Sequence, residues 1–314
     1  MMHAGALCLL LAASNFGTVP LGLDALRPTP EDNPLTPEKA ALGRKLFFDT
    51  RLSRDNSLSC ASCHDPKRAF TDGRPVAVGV FGRKGNRRVP TLLNRAYGKA
   101  FFWDGRAATL EEQVVLPIVN EKEMDLTMDE AVTRVREGYG EAFQRVFGRP
   151  ANADDLARAL ATYVRTILSG DSPYDRYVGG DREALSEEAR TGLRLFRGKA
   201  NCVVCHLGPN LTDERFHNTG IGGLDDPGRY AITKQEPDRG AFKTPTLREA
   251  AGTGPYMHNG SIATLEKVIE EYDKGGKASP SLDPEMRPLK LTDAEKKALL
   301  AFLKALSGKI REGN

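Results

Sequence analysis

The chain has 314 residues, enough for two domains of ordinary size, and its 40% hydrophobic and 28% charged content describes a soluble globular protein with a real core. Forty-five Lys and Arg against 42 Asp and Glu leave a net charge of +3, a balance that excludes nucleic-acid binding as its work. Residues 6–14, ALCLLLAAS, are too short and apolar a run to span a bilayer but match the core of a signal peptide, although only His3 precedes them where basic residues are usual. Residues 1–20 are therefore read as a signal peptide or its remnant, and the protein as periplasmic or otherwise exported. Cys8 lies in this run, behind a Leu7 too large for a lipoprotein cleavage site, and no later stretch is apolar enough for a membrane span.

The rest of the pattern is helical, and the fold class expected is all-α. TPEKAALGRKLF (36–47) opens with Thr36 as N-cap and Pro37 in the first turn. Apolar spacings of three and four predict helices over 128–146, 153–168, 186–197, 264–273 and 292–306. Glycine, serine and proline cluster in SGDSPYDRYVGGD (169–181), which sets a domain boundary there: 21–175, then 176–314. The basic run GRKGNRR (82–88) is read as a solvated loop, with docking of an acidic partner as its alternative.

Apart from Cys8, every cysteine lies in C-x-x-C-H: Cys60, Cys63 and His64, then Cys202, Cys205 and His206. Two thioethers to one porphyrin need cysteines about a helical turn apart, and the next residue then presents imidazole to the iron. Zinc and redox dithiols are the competing readings. The motifs stand 142 residues apart (202 minus 60), unlike the short spacing of a zinc ribbon, and a dithiol has no need of the histidine that follows both times. Two covalent c-type haems follow, and haem attachment of this kind agrees with export.

The chain also repeats itself. LGRKLF (42–47) and TGLRLF (191–196) precede the two motifs, and residues 90–117 align without a gap on 245–272 at a constant offset of 155 (245 minus 90). We read two cytochrome c-like haem domains related by internal duplication. The differences matter more than the likeness. The helix after each TLE puts Leu265, Val268 and Tyr272 on one face in the second copy, and Leu110, Gln113 and Pro117 there in the first. If that face looks at a haem, Tyr272 offers a phenol oxygen to one iron, whereas Pro117 offers nothing and leaves the other open. Gln113 and, ten residues on, Glu123 add an amide and a carboxyl suited to holding and deprotonating peroxide. Trp103, the only tryptophan, pairs with His258 in the repeat and supplies an oxidisable indole. Taken singly, these have plainer readings: a core aromatic for Tyr272, a core indole for Trp103 and a surface charge for Glu123.

With FWDGRA, GPNLTDERFHNTG, FKTPTLR and GPYMHNGS beside the two C-x-x-C-H motifs, the sequence resembles the bacterial di-haem cytochrome c peroxidases, and within them the MauG group, from about residue 36 onward. The resemblance implies a peroxidatic N-terminal haem with Gln113 and Glu123 on its open side and Trp103 between the haems. Typical peroxidases carry a methionine fourteen residues after the histidine of the YMH-like motif; here that position is Tyr272, as in MauG-type proteins. They also carry a blocking histidine in the loop after the first motif, and VAVGVFG (76–82) has none. The family further implies a calcium ion held through carbonyls that fall on Thr253 and Pro255, but Arg88 stands where its asparagine ligand belongs, which leaves calcium open.

The expectation is an exported enzyme that uses hydrogen peroxide at the His64 haem, assisted by Glu123 and Gln113. It shares charge through Trp103 with the His206/Tyr272 haem and oxidises an external donor or a partner protein. A conventional peroxidase fed by a small redox protein is the first alternative, and a non-catalytic two-haem electron carrier the second.

Overall fold

A computed structural model describes residues 18–223 and 225–313. The expected signal segment lies mostly outside them, as does Cys8. In chain order the helices are α1 (Pro37–Phe47), α2 (Cys60–Cys63), α3 (Leu110–Val119), α4 (Met128–Phe147), α5 (Ala153–Arg165), α6 (Pro173–Val178), α7 (Glu187–Arg197), α8 (Tyr230–Thr233), α9 (Leu265–Lys274) and α10 (Asp293–Lys304). The all-α expectation needs correcting: β1 (Leu168–Gly170) pairs antiparallel with β4 (Lys309–Arg311), and β2 (Phe216–His217) with β3 (Phe242–Lys243). These ribbons of two or three residues carry no core of their own, and the molecule is mostly helical.

The helices start where their caps are. The Thr36 hydroxyl accepts from the Lys39 amide at the head of α1, and Thr127 and Glu130 close a capping box on α4. The helices expected over 128–146, 186–197, 264–273 and 292–306 form within two residues of those bounds as α4, α7, α9 and α10. The one over 153–168 stops at Arg165, because Leu168–Gly170 turns to pair with the C-terminal strand.

Two hydrophobic cores divide the chain. One is built from Leu42 to Ile167, the other from Leu185 to Leu306. Each is organised on a close helix pair, α1 on α5 and α7 on α10. A Cβ on Gly43 would lie 1.9 Å from the Ala159 carbonyl oxygen, and one on Gly192 would lie 1.9 Å from that of Ala298, so both crossings require glycine. The repeat is also visible in backbone geometry. Thr109 caps α3 and Thr264 caps α9, and the Phe101–Ala107 bridge recurs as Tyr256–Ile262, all at the same offset of 155 (264 minus 109).

The stretch 169–181 is not a loose tether. Ser169, Ser172 and Asp175 are buried, and Ser172 caps α6. Arg248, from the second half, reaches Asp175 through two hydrogen bonds of 2.8 and 2.9 Å and also donates to the Gly22 and Pro209 carbonyls. This pair is almost wholly buried, with side-chain exposures of 1% and 2%. Arg248→Met should cost about 3–5 kcal/mol, because it strands a buried carboxylate. Urea unfolding checks this; a cost below about 1 kcal/mol would put the pair with ordinary surface ion pairs.

The basic run is a solvated loop only in part, exposed at 82–84 and 86 but anchored by its arginines. Arg83 donates to the Glu121 carbonyl and Asp125, Arg87 to Asp226 and Asp104, and Arg88 is buried. All three of its arginines are thus spent on internal partners, Arg88 on the Thr253 carbonyl.

Candidate haem sites

The first motif folds as one helical turn. Ser59 and Ser62 close its N-terminus, and the His64 amide donates to the Cys60 carbonyl at 2.9 Å. Cys60, Cys63 and His64 thereby share one wall of a cavity. The His64 Nδ1 lies 3.0 Å from the Phe70 carbonyl, which puts the proton on that nitrogen and leaves Nε2 as the ring's lone-pair donor. Burial holds the imidazole neutral, with its pKa down at about 4. The second motif reaches the same arrangement through a tighter turn. The His206 amide donates to the Cys202 carbonyl at 2.9 Å, His206 Nδ1 is 3.1 Å from the Leu211 carbonyl, and burial again lowers the imidazole pKa to about 4. Burial also pushes Cys60 and Cys202 up to about 12, the opposite of the lowered pKa a redox dithiol needs.

The facing walls differ as their sequences do. Across the first cavity stand Gln113, Val114 and Pro117 of α3, with Glu123 and Met124 from the turn beyond it. Leu110 is in the core. The Gln113 Oε1 is buried and has no hydrogen-bond partner among the described residues, which leaves an acceptor free on the cavity wall. Glu123 is held by Asn120, whose Nδ2 donates to its Oε1 at 2.7 Å, and by its own backbone carbonyl, which accepts from Val80 at 2.8 Å. Burial raises its carboxyl above the usual carboxylate value, opposed by the Asn120 hydrogen bond and the charge of Arg106. Ala77, Val78 and Gly79 of the loop lacking histidine line the same cavity, so that side is apolar.

Across the second cavity stand Leu265, Val268, Ile269 and Tyr272 of α9, with Met257 and Met286 nearby. Burial pushes the Tyr272 phenol above its usual pKa, with the two thiols adding to the shift. Trp103 lines this second cavity and not the first; its indole N–H donates to the Arg88 carbonyl at 2.9 Å. Gln113 is shared by both linings. The repeat counterpart of Trp103, His258, stacks on Phe242, with ring centroids 3.7 Å apart.

Several residues around these cavities gave no sequence signal. Asn120 grips Glu123, Arg95 and Glu214 form a buried pair at 2.9 Å, and Lys243 is buried beside them. His217 is clamped between Asp213 at 2.8 Å and Asp283 at 2.6 Å. Only FHNTG and FKTPTLR, as strings, could have drawn attention to His217 and Lys243.

Two C-x-x-C-H turns, each on the wall of its own cavity with a neutral imidazole presented, define a c-type cytochrome with two haem sites. Residues 37–183 match the di-haem cytochrome c peroxidase family and 189–307 the cytochrome c family. The methylamine utilization protein MauG of Methylorubrum extorquens is 46% identical over 285 residues, covering 89% of this chain and 81% of that one. The cytochrome-c peroxidase IdrP1 of Pseudomonas sp. is 40% identical, covering 89% and 83%. In structure the chain is similar to a MauG-like protein associated with microbial copper homeostasis, with a TM-score of 0.85, 34% identity and 95% of each chain covered. The chain therefore belongs to the di-haem cytochrome c peroxidase and MauG family and is a peroxide-dependent oxidoreductase.

Both cavities fit the haems this family implies. Cys60, Cys63 and His64 would hold one, and Cys202, Cys205 and His206 the other, each supplying iron-centred redox chemistry. Calcium fits less well: the Arg88 guanidinium donates to the Thr253 carbonyl, so that oxygen already faces a fixed cation. Among the described residues no helix is long and apolar enough to cross a membrane.

Proposed function

We propose that this is a MauG-like oxidase. It uses hydrogen peroxide at the His64 haem, which remains open, and it oxidises an external donor or partner protein with charge shared between the two sites. One observation carries the reading: at equivalent positions of α3 and α9 the first cavity has Gln113 and Pro117 where the second has Val268 and Tyr272. A proline has no group to offer a metal, whereas a phenol has. The domains are taken as 21–175 and 176–314, products of duplication, and the protein as exported.

In this reading Glu123 accepts the proton from the inner oxygen of peroxide and returns it to the outer one, and the orphaned Gln113 oxygen accepts a hydrogen bond from the bound molecule. Tyr272 closes the second site against small ligands. Trp103 is the oxidisable group on that side, oriented through the Arg88 carbonyl and through its own carbonyl, which accepts from the Lys243 amide at 2.8 Å. The substrate then need never enter a cavity.

The conventional peroxidase differs in one measurable respect, a need for prior reduction. Stopped-flow mixing of the diferric holoprotein with one equivalent of peroxide should change the optical bands of both haems at once. Silence until an electron is supplied would establish a reductively activated peroxidase instead.

A further inference from the structure

Three buried cations line the second cavity, Arg88, Arg95 and Lys243, and one buried carboxylate, Glu214, faces the last two. Glu214 is taken up by Arg95, with both of its oxygens at 2.9 Å from the guanidinium, and Lys243 reaches it only at 3.5 Å. Arg88 has no carboxylate within ion-pair distance among the described residues. It is 7% exposed, one of its Nη atoms donates to the Thr253 carbonyl, and its Nε is buried with no partner. Its main chain is fixed at both ends of the residue, the amide donating to the His258 carbonyl at 2.7 Å and the carbonyl accepting from Trp103.

A buried guanidinium without a counter-charge is costly. Burial accordingly lowers the Arg88 pKa, to about 10, which only the more distant Asp72 and Tyr256 charges oppose. The protein alone does not balance this site. A c-type haem brings two propionate carboxylates into the cavity that Arg88 and Lys243 line, and a planar fork with an idle N–H suits a carboxylate.

We infer that Arg88 is a built-in cation of the second haem site: it donates to a haem propionate through Nε and, by occupying the Thr253 carbonyl, takes the place of a calcium ion. This does not depend on the peroxide reading, because metal content and potential are measured without turnover.

The test uses the diferric holoprotein. Elemental analysis should find no stoichiometric calcium, and neither chelation with EGTA nor added calcium should move either haem spectrum. Arg88→Gln removes the charge and should lower the second haem's potential, so that at a fixed poise its reduced-to-oxidised ratio falls about tenfold. Arg88→Lys is read in parallel: it should keep the potential but shift the propionate-bending band in the resonance Raman spectrum, since it keeps the charge and loses the fork. One bound calcium per native chain, an unchanged ratio in Arg88→Gln, or an unmoved Raman band in Arg88→Lys would each overturn the assignment. Should Arg88→Gln fail to fold, native metal content and the Arg88→Lys band still decide.

Discussion

Glu123→Gln is expected to slow the reaction of the diferric protein with hydrogen peroxide by about a hundredfold, the usual worth of a positioned acid–base group. The carboxyl lines the first cavity beside Gln113, and Asn120 holds it by a single 2.7 Å hydrogen bond. Among the described residues no basic side chain pairs with it directly; Arg106 acts only as a more distant charge. Burial therefore sets its pKa above the usual 4.5. Since the carboxylate form is the one that accepts a proton, the rate should climb as pH rises through that raised value. The acid limb should lie above the ordinary carboxylate range and vanish in the glutamine variant. Asn120→Ala removes the hydrogen bond that favours the charged form and should carry the limb to higher pH. The stability sign runs the same way. A carboxyl raised in the folded state binds its proton more tightly there than when unfolded, so stability is greatest at low pH and falls as pH rises through the folded pKa. Glu123→Gln removes that cost and should not unfold the protein. A near-native rate in a well-folded Glu123→Gln would remove Glu123 from the reaction, and Glu121→Gln, on the exposed side of the same turn, is the control expected to do nothing.

Much of this site was legible because its chemistry is local in sequence. A C-x-x-C-H fixes its own geometry within one turn, and the N-caps at Thr36, Thr109 and Thr264 announce their helices. The offset of 155 (272 minus 117) made Pro117 and Tyr272 comparable before any coordinates, and the two residues do line corresponding walls of the two cavities. What stayed hidden is set by contacts distant in the chain. GRKGNRR reads as a solvated loop because its partners Asp226 and Thr253 lie 139 and 165 residues away. SGDSPYDRYVGGD has the composition of a linker, yet Asp175 within it receives Arg248 from 73 residues further on. The strands escaped notice because two or three residues cannot show an alternation. Trp103 was expected between two haems. It lines the second cavity beside Gln113, and Gln113 lines both.

Tyr272→Phe should abolish the low-spin signature of the second haem while leaving that of the first unchanged. Among the α9 residues facing His206, Leu265, Val268 and Ile269 have no donor atom, so the phenol oxygen is the helix's sole candidate ligand. The phenol is a poor anion as the protein alone holds it, since burial pushes its pKa up. A ferric iron opposite reverses that balance, because a metal's charge stabilises a bound phenolate as it does other deprotonated ligands. Ligation should therefore persist across neutral pH, with no spectral transition near the ordinary tyrosine value. Phenylalanine preserves the ring's packing against Leu265 and Ile269 and removes only the oxygen, so the fold should survive and the spectrum alone should respond. Met257 and Met286 line the same cavity and give the variant a fallback. A methionine-type spectrum in Tyr272→Phe would show the thioether captured by a vacated iron, and a raised potential should accompany it, because a neutral ligand stabilises the oxidised iron less than an anionic one. An unchanged spectrum in the variant would show that Tyr272 was never bound and would point to one of those methionines as the native ligand. The second site would then match the conventional peroxidases, and the case for oxidation of a partner protein would lose the residue it rests on.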